Sequence, residues 1–104
     1  MRTLSPDLDA VAKLDRFAVI VTAPGQNSDF VTRFYAPGAG VPEDPVTGSA
    51  HCTLVPYGSE RLEKKNPHAL QLTRRGGELF CTDRGDRVSI GGRAATYLTG
   101  RIMI

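Results

Sequence analysis

Residues 43–52, with the sequence EDPVTGSAHC, constrain the fold more than any other part of this chain. Pro45 disfavours helical backbone angles at Asp44, so a helix that follows cannot begin before this point. Gly48 allows a ligand to approach the backbone without meeting a Cβ atom. We therefore expect a helix that starts within residues 47–49 and continues into the apolar residues beyond.

The first-turn amides of that helix have no capping box. Three residues after Thr47 and Ser49 the chain carries Ala50 and Cys52, where a capping box needs Glu or Gln. The free N–H groups could receive a substrate carboxylate or phosphate. An ordinary helix start, with Thr47 or Ser49 as the N-cap, explains the same residues without a ligand. The local chemistry leaves both interpretations open.

Length and charge favour a single intracellular domain. A chain of 104 residues is long enough for one hydrophobic core and too short for two. It contains no apolar stretch near the ~18 residues of a membrane span and no signal peptide, so we expect a cytoplasmic protein with no membrane partner. The net charge of +2 and the scattering of ten arginines argue against nucleic acid as a partner. The adjacent pairs Lys64-Lys65 and Arg74-Arg75 are interpreted as solvated surface.

Hydrophobic patterns and turn residues predict an α+β fold. Ser5 is a candidate N-cap for a short helix over residues 5–14, with Pro6 at the first helical position. A turn at residues 24–28 separates two strands rich in β-branched and aromatic residues, which predicts a hairpin. The predicted strands are residues 17–22, 30–35, 70–74, 78–82, 87–90 and 94–104, and the predicted central helix is residues 48–65.

The motif resembles a known family. Residues 43–52, followed by Leu-Val-Pro-Tyr at 54–57 and QLTRRGGEL at 71–79, are similar to the second half of the PhzF (phenazine biosynthesis) isomerases. Residues 19–23, 29–37 and 87–94 extend the similarity over nearly the whole chain. The resemblance implies one diaminopimelate-epimerase-like domain over residues 1–104, with a curved mixed or antiparallel sheet wrapped around one central helix. Gly58 departs from the family pattern, which has a tryptophan there, so either the core is repacked or a pocket opens.

The same resemblance implies isomerase chemistry, in which a proton moves between carbons of a small carboxylate-bearing substrate without a metal or organic cofactor. Asp44 and Ser49 correspond to the family's catalytic aspartate and its substrate-contacting serine. Thr47, Gly48, Ser49 and His51 are the expected substrate-binding residues. For His51, a packed position inside the helix is the alternative.

The family places its glutamate base in a first domain that has no counterpart here, and three hypotheses follow. The chain is half of an isomerase and needs a separate N-terminal-half partner, which leaves apolar cleft surface exposed in isolation. Alternatively, two copies form a homodimer that brings two Asp44 side chains toward one cavity. The third hypothesis is a noncatalytic module that binds a small anion or a protein.

Overall fold

Five strands form one mixed sheet in the computed structural model, which describes residues 1–104. The strands follow one another across the sheet in chain order, and every neighbouring pair is antiparallel except β2 and β3, which are parallel. The elements in chain order are α1 (Leu8–Ala12), β1 (Val19–Pro24), β2 (Phe30–Tyr35), a 3-10 turn (Pro37–Ala39), α2 (Gly48–Leu62), β3 (His68–Gln71), β4 (Gly77–Asp83) and β5 (Val88–Gly91).

The parallel pair explains where the central helix lies. Two parallel strands cannot be joined by a tight turn, so the chain between β2 and β3 must cross over one face of the sheet. Helix α2 makes this crossover and packs its buried side on the sheet. The core contains Phe30, Phe34, Ala36, Ala50, Leu54, Val55, Ala69, Leu79 and Cys81.

This architecture confirms the predicted α+β fold with a sheet packed around one central helix. The predicted hairpin is confirmed, because β1 and β2 pair antiparallel from Val19 with Tyr35 to Pro24 with Phe30. Helix α2 begins at Gly48, as the Asp-Pro and glycine signals predict.

The N-cap of the first helix is a correction. Helix α1 is capped by Asp7, whose Oδ1 accepts the amide of Ala10 at 3.1 Å. Ser5 and Pro6 therefore precede the helix, which is shorter than predicted. Asp7 replaces Ser5 because its carboxylate is placed to bind an amide three residues later, the usual N-cap geometry.

The predicted strand at residues 94–104 is wrong. The sheet ends at β5, and residues 92–104 have no regular secondary structure and are exposed. Tyr97 and Met103 are 100% and 98% exposed despite their apolar side chains. A strand needs a hydrogen-bonding neighbour, and this segment has none within the chain.

Gly58 borders an open pocket of about 200 Å³ between α2 and the β1–β2 hairpin. A Cβ atom at Gly58 would lie 3.2 Å from the ring of Phe30. The structure thus shows both a pocket beside Gly58 and close packing of the Phe30 ring against it. As for membranes, none of the helices combines the length and the apolar character that a crossing would need.

Candidate functional site

The start of α2 has an N-cap whose side chain does not cap the helix. Thr47 occupies the N-cap position with extended backbone angles (φ −119°, ψ 95°), but its side chain makes no capping hydrogen bond. Its hydroxyl instead donates to Oδ2 of Asp44 at 2.5 Å. Because the capping group is turned toward Asp44, the first-turn amides stay free for another acceptor.

The amides of Gly48, Ser49 and Ala50 are the free donors. Their helical acceptors would lie before the helix, and no hydrogen bond outside the helix involves them. Gly48 and Ser49 are exposed, and a Cβ added to Gly48 would meet no atom within 4 Å. The helix therefore presents open backbone donors beside the Asp44 carboxylate, where the helix dipole also favours an anion.

Gln71, at the end of β3, holds Asp44 and Thr47 in place through hydrogen bonds from the sheet. Its side chain is 1% exposed, and its Oε1 accepts the amide of Thr47 at 2.8 Å. Its Nε2 donates to the backbone carbonyl of Asp44 at 2.7 Å and to the Thr47 hydroxyl at 3.1 Å. One buried amide thus joins the acid, the N-cap and the sheet.

An ion pair holds the segment that precedes Asp44. Arg33 on β2 binds Glu43 through two hydrogen bonds, Nε to Oε1 at 2.6 Å and Nη2 to Oε2 at 2.9 Å. The hydrogen bonds to Glu43 raise the pKa of Arg33 above its ordinary value. The carboxylate of Glu43 is therefore occupied, and Asp44 is the one of the two that remains beside the free amides.

His51 lies in the protein interior, away from the open donors. It is 0% exposed, stacks on Phe30 with ring centroids 6.1 Å apart, and donates from Nδ1 to the carbonyl of Thr47 at 2.8 Å. Its Nε2 has no partner, and burial lowers the pKa of the ring below 6.5. The packed position is thus the one observed, and His51 can act on the helix start only through Thr47.

Four of the five predicted site residues therefore meet at one place. Asp44, Thr47, Gly48 and Ser49 form the open helix start, and His51 supports it from the core. The sequence alone assigned no individual role to Gln71 or to Glu43. The position of Glu43, directly before the Asp-Pro pair, was the one sequence feature that could have indicated its role.

The arrangement has a definite chemical capacity. Two exposed amides at a helix start can bind a carboxylate, and a neighbouring carboxyl group can hold or exchange a proton. No group of three or more His, Cys, Asp or Glu side chains is arranged to hold a metal ion.

Comparison with known proteins identifies the family. The family model described as phenazine biosynthesis-like protein (PhzC-PhzF) matches residues 1–100. An uncharacterized isomerase of Pseudomonas aeruginosa is 53% identical over 104 residues, which cover 100% of this chain and 40% of that protein. The human phenazine biosynthesis-like domain-containing protein is 53% identical over 78 residues, 74% of this chain and 27% of that protein.

Solved structures give the same result. A PhzF family protein of Enterococcus faecalis superimposes with a TM-score of 0.86 at 44% identity, covering 88% of this chain and 35% of that one. A putative PhzC/PhzF protein of Clostridium difficile gives a TM-score of 0.85 at 42% identity, with 98% and 40% coverage. This chain thus spans at most about 40% of the length of these relatives. Its sequence and its fold together place it in the PhzC-PhzF family of phenazine biosynthesis-like proteins.

Proposed function

We propose that this chain supplies one half of an isomerase active site, which moves a proton between carbons of a small carboxylate-bearing substrate. The observation that carries the proposal is the open helix start, where the amides of Gly48 and Ser49 have no acceptor and Asp44 lies next to them. The substrate carboxylate binds these amides. This contact orients the neighbouring carbon and its hydrogen toward Asp44.

Asp44 is suited to hold the substrate and to take part in the proton transfer. Its carboxylate accepts the Thr47 hydroxyl at 2.5 Å, and its backbone is fixed by Gln71. A carboxyl group held this way has one orientation relative to the amides, which general acid–base catalysis requires. Ser49, exposed on the first turn, adds a hydroxyl that can contact the same substrate.

The second proton-transfer group comes from another domain or subunit. When a proton leaves one carbon and is delivered to another, one group can act as the base and a second as the acid, and Glu43, the neighbour of Asp44, is already bound by Arg33. The exposed apolar side chains of residues 97–104 are consistent with a surface that a partner covers. The partner is either a separate N-terminal-half chain or a second copy, which would bring two Asp44 carboxyl groups into one cavity.

Proton exchange in deuterated water tests the proposal. The protein is first weighed in solution by light scattering and native mass spectrometry. A homodimer is assayed directly, and a monomer is assayed after addition of the N-terminal part of the Pseudomonas relative. We expect deuterium to enter the α position of at least one acid from a set of small amino and hydroxy acids, as detected by NMR.

The variants decide between an enzyme and a binding module. Asp44→Asn should abolish the exchange, whereas Asp86→Asn, in the exposed β4–β5 turn, should retain it. Exchange that survives in Asp44→Asn would refute the role of Asp44. Saturable carboxylate binding without any exchange would instead favour the noncatalytic anion-binding module.

A further inference from the structure

The loop between β3 and β4 carries two arginines and is fastened to the candidate site. Gln71 binds the Asp44 segment at the start of this loop, and Thr73 Oγ1 donates to the carbonyl of Pro45 at 3.0 Å. At the far end, Val46 packs so closely on Gly77 that a Cβ atom there would collide with it. Contacts at both ends therefore join the loop to the segment that carries the candidate site.

Thr73 also shapes the turn that presents the arginines. Its hydroxyl accepts the amide of Gly76 at 2.8 Å, while Gly76 adopts a positive φ of 75°. Arg74 and Arg75 lie between these two residues, and both are exposed. Their backbone is thus held in a defined turn beside the residues that flank Asp44.

An open cavity of about 390 Å³ lies between the loop and the Asp44 segment. The side of this cavity formed by the Asp44 segment carries Glu43, whose charge is compensated by the bidentate contact with Arg33. Neither Arg74 nor Arg75 forms an ion pair with a carboxylate, because the ion pairs of the chain involve other residues. Two positive charges without an ion-pair partner therefore line this cavity, and they favour an anion there. Its lining consists of Glu43, Pro45, Thr73, Arg74 and Arg75.

We propose that this cavity binds a second anionic group of the substrate. The inference rests on the proposed function, since it assumes that a first carboxylate occupies the helix start. The substrate class is then a small metabolite with two anionic groups, the second one a carboxylate or a phosphate. Arg74 and Arg75 determine specificity, because guanidinium groups bind both kinds of anion through paired N–H donors.

Calorimetric titration at low ionic strength tests this assignment. Succinate, glutarate and adipate are each compared with the monocarboxylate of the same carbon number. We expect at least one diacid to bind about tenfold more tightly than its monoacid, the gain from about one charge-assisted hydrogen bond. 3-Phosphonopropionate, compared with succinate, distinguishes a phosphate-type from a carboxylate-type second group.

The double variant Arg74→Gln/Arg75→Gln should reduce diacid affinity to that of the monoacid and leave the monoacid unchanged. The matched control is Arg84→Gln/Arg87→Gln, which removes the same charge from the β4–β5 turn and should leave the preference intact. Equal affinity of the original chain for diacids and monoacids would overturn the inference. An equal loss of preference in the control variant would also overturn it, because the effect would then be one of net charge.

A different pair of variants isolates the helix-start site. Gly48→Pro removes one amide donor at a position where proline is tolerated, and Gly48→Ala keeps that amide and adds a Cβ in open space. Gly48→Pro should weaken monoacids and diacids by the same factor. If it changes neither while the arginine variant still abolishes the diacid preference, the helix-start site fails and the arginine cavity stands by itself.

Discussion

Replacing Gln71 by glutamate would test the buried contact that joins Asp44 and Thr47. Glutamate has nearly the same shape, so packing is retained and the hydrogen-bond donors alone change. The Nε2 group of Gln71 donates at 2.7 Å to the Asp44 carbonyl and at 3.1 Å to the Thr47 hydroxyl. An ionised carboxylate cannot donate, and it would face acceptors in a position that is 1% exposed.

The cost follows from the proton that the introduced carboxyl group would need. A protonated carboxyl group restores one donor and keeps the acceptor for the Thr47 amide. Keeping it protonated costs ~1.4 kcal/mol per pH unit above its unfolded pKa of ~4.3, or ~4 kcal/mol at pH 7. The donor that remains missing costs ~1 kcal/mol more at any pH. We expect Gln71→Glu to destabilise the chain by ~4–5 kcal/mol at pH 7 and by ~1 kcal/mol near pH 4.

The direction in which the Gln71→Glu destabilisation changes with pH is what tests the buried contact. The pKa of the introduced carboxyl group is raised on folding, so its penalty is smallest below the unfolded pKa and increases as the pH rises. Urea unfolding followed by circular dichroism at several pH values measures it. Gln26→Glu is the control, because Gln26 is exposed and should change stability little at either pH. A Gln71→Glu penalty that is the same at pH 4 and pH 7 would show that folding does not raise the pKa of the introduced carboxyl group.

Other parts of the structure give three further predictions, each measured by urea unfolding. Gly58→Ala should stabilise the chain by ~0.5 kcal/mol, because alanine loses less backbone entropy in a helix than glycine. Its Cβ would lie 3.2 Å from the Phe30 ring, which borders an open pocket into which the ring can shift. A loss of stability would show that the ring cannot shift. The hydrogen bond from the His68 amide lowers the pKa of Asp29 below 3.8, so the Asp29 carboxylate stabilises the fold above pH 3.8 and loses this effect as the pH falls through its folded pKa. Asp29→Asn should therefore lower the free energy of unfolding at pH 7 and not at pH 2. An equal loss at both pH values would contradict this. Burial lowers the pKa of His51 in the folded chain, so the unfolded chain binds the proton at a higher pH and the free energy of unfolding declines as the pH falls below 6.5. His51→Gln should reduce that decline. An unchanged pH profile of stability would show that other groups cause it.

Local signals were sufficient for the elements that depend on local geometry. Pro45 disfavours helical angles at Asp44 and Gly48 follows shortly after it, so the start of α2 at Gly48 could be predicted. The bounds of β2, Phe30–Tyr35, also agree with the sequence pattern, because turn residues precede the strand and proline and glycine follow it.

Features that depend on distant parts of the chain could not be predicted. Alternation of apolar residues would place Leu70 and Leu72 inside the protein, yet Gln71 and Ala69 are the buried residues of β3. Leu70 points to the other face, where it is half-buried and borders an open pocket, so the polarity of the side chains does not reveal which face of β3 meets the helix. The role of Gln71 becomes visible only when β3 pairs in parallel with β2 and reaches Thr47.

The exposed segment after β5 is a second case in which distant parts of the chain decide the structure, here by leaving a predicted strand without a partner. Its composition favours a strand, but residues 94–104 have no neighbouring strand in this chain. Composition reports the tendency to pair, whereas the presence of a partner decides whether pairing occurs.

An NMR titration can show directly whether the amides at the start of α2 receive a carboxylate. The ¹⁵N-labelled chain would be titrated with propionate at constant pH and ionic strength. We expect saturable shifts of the Gly48 and Ser49 amide resonances, with the amides of Arg84 and Arg87 in the β4–β5 turn unaffected. Unchanged resonances at Gly48 and Ser49, or equal shifts in both regions, would contradict it.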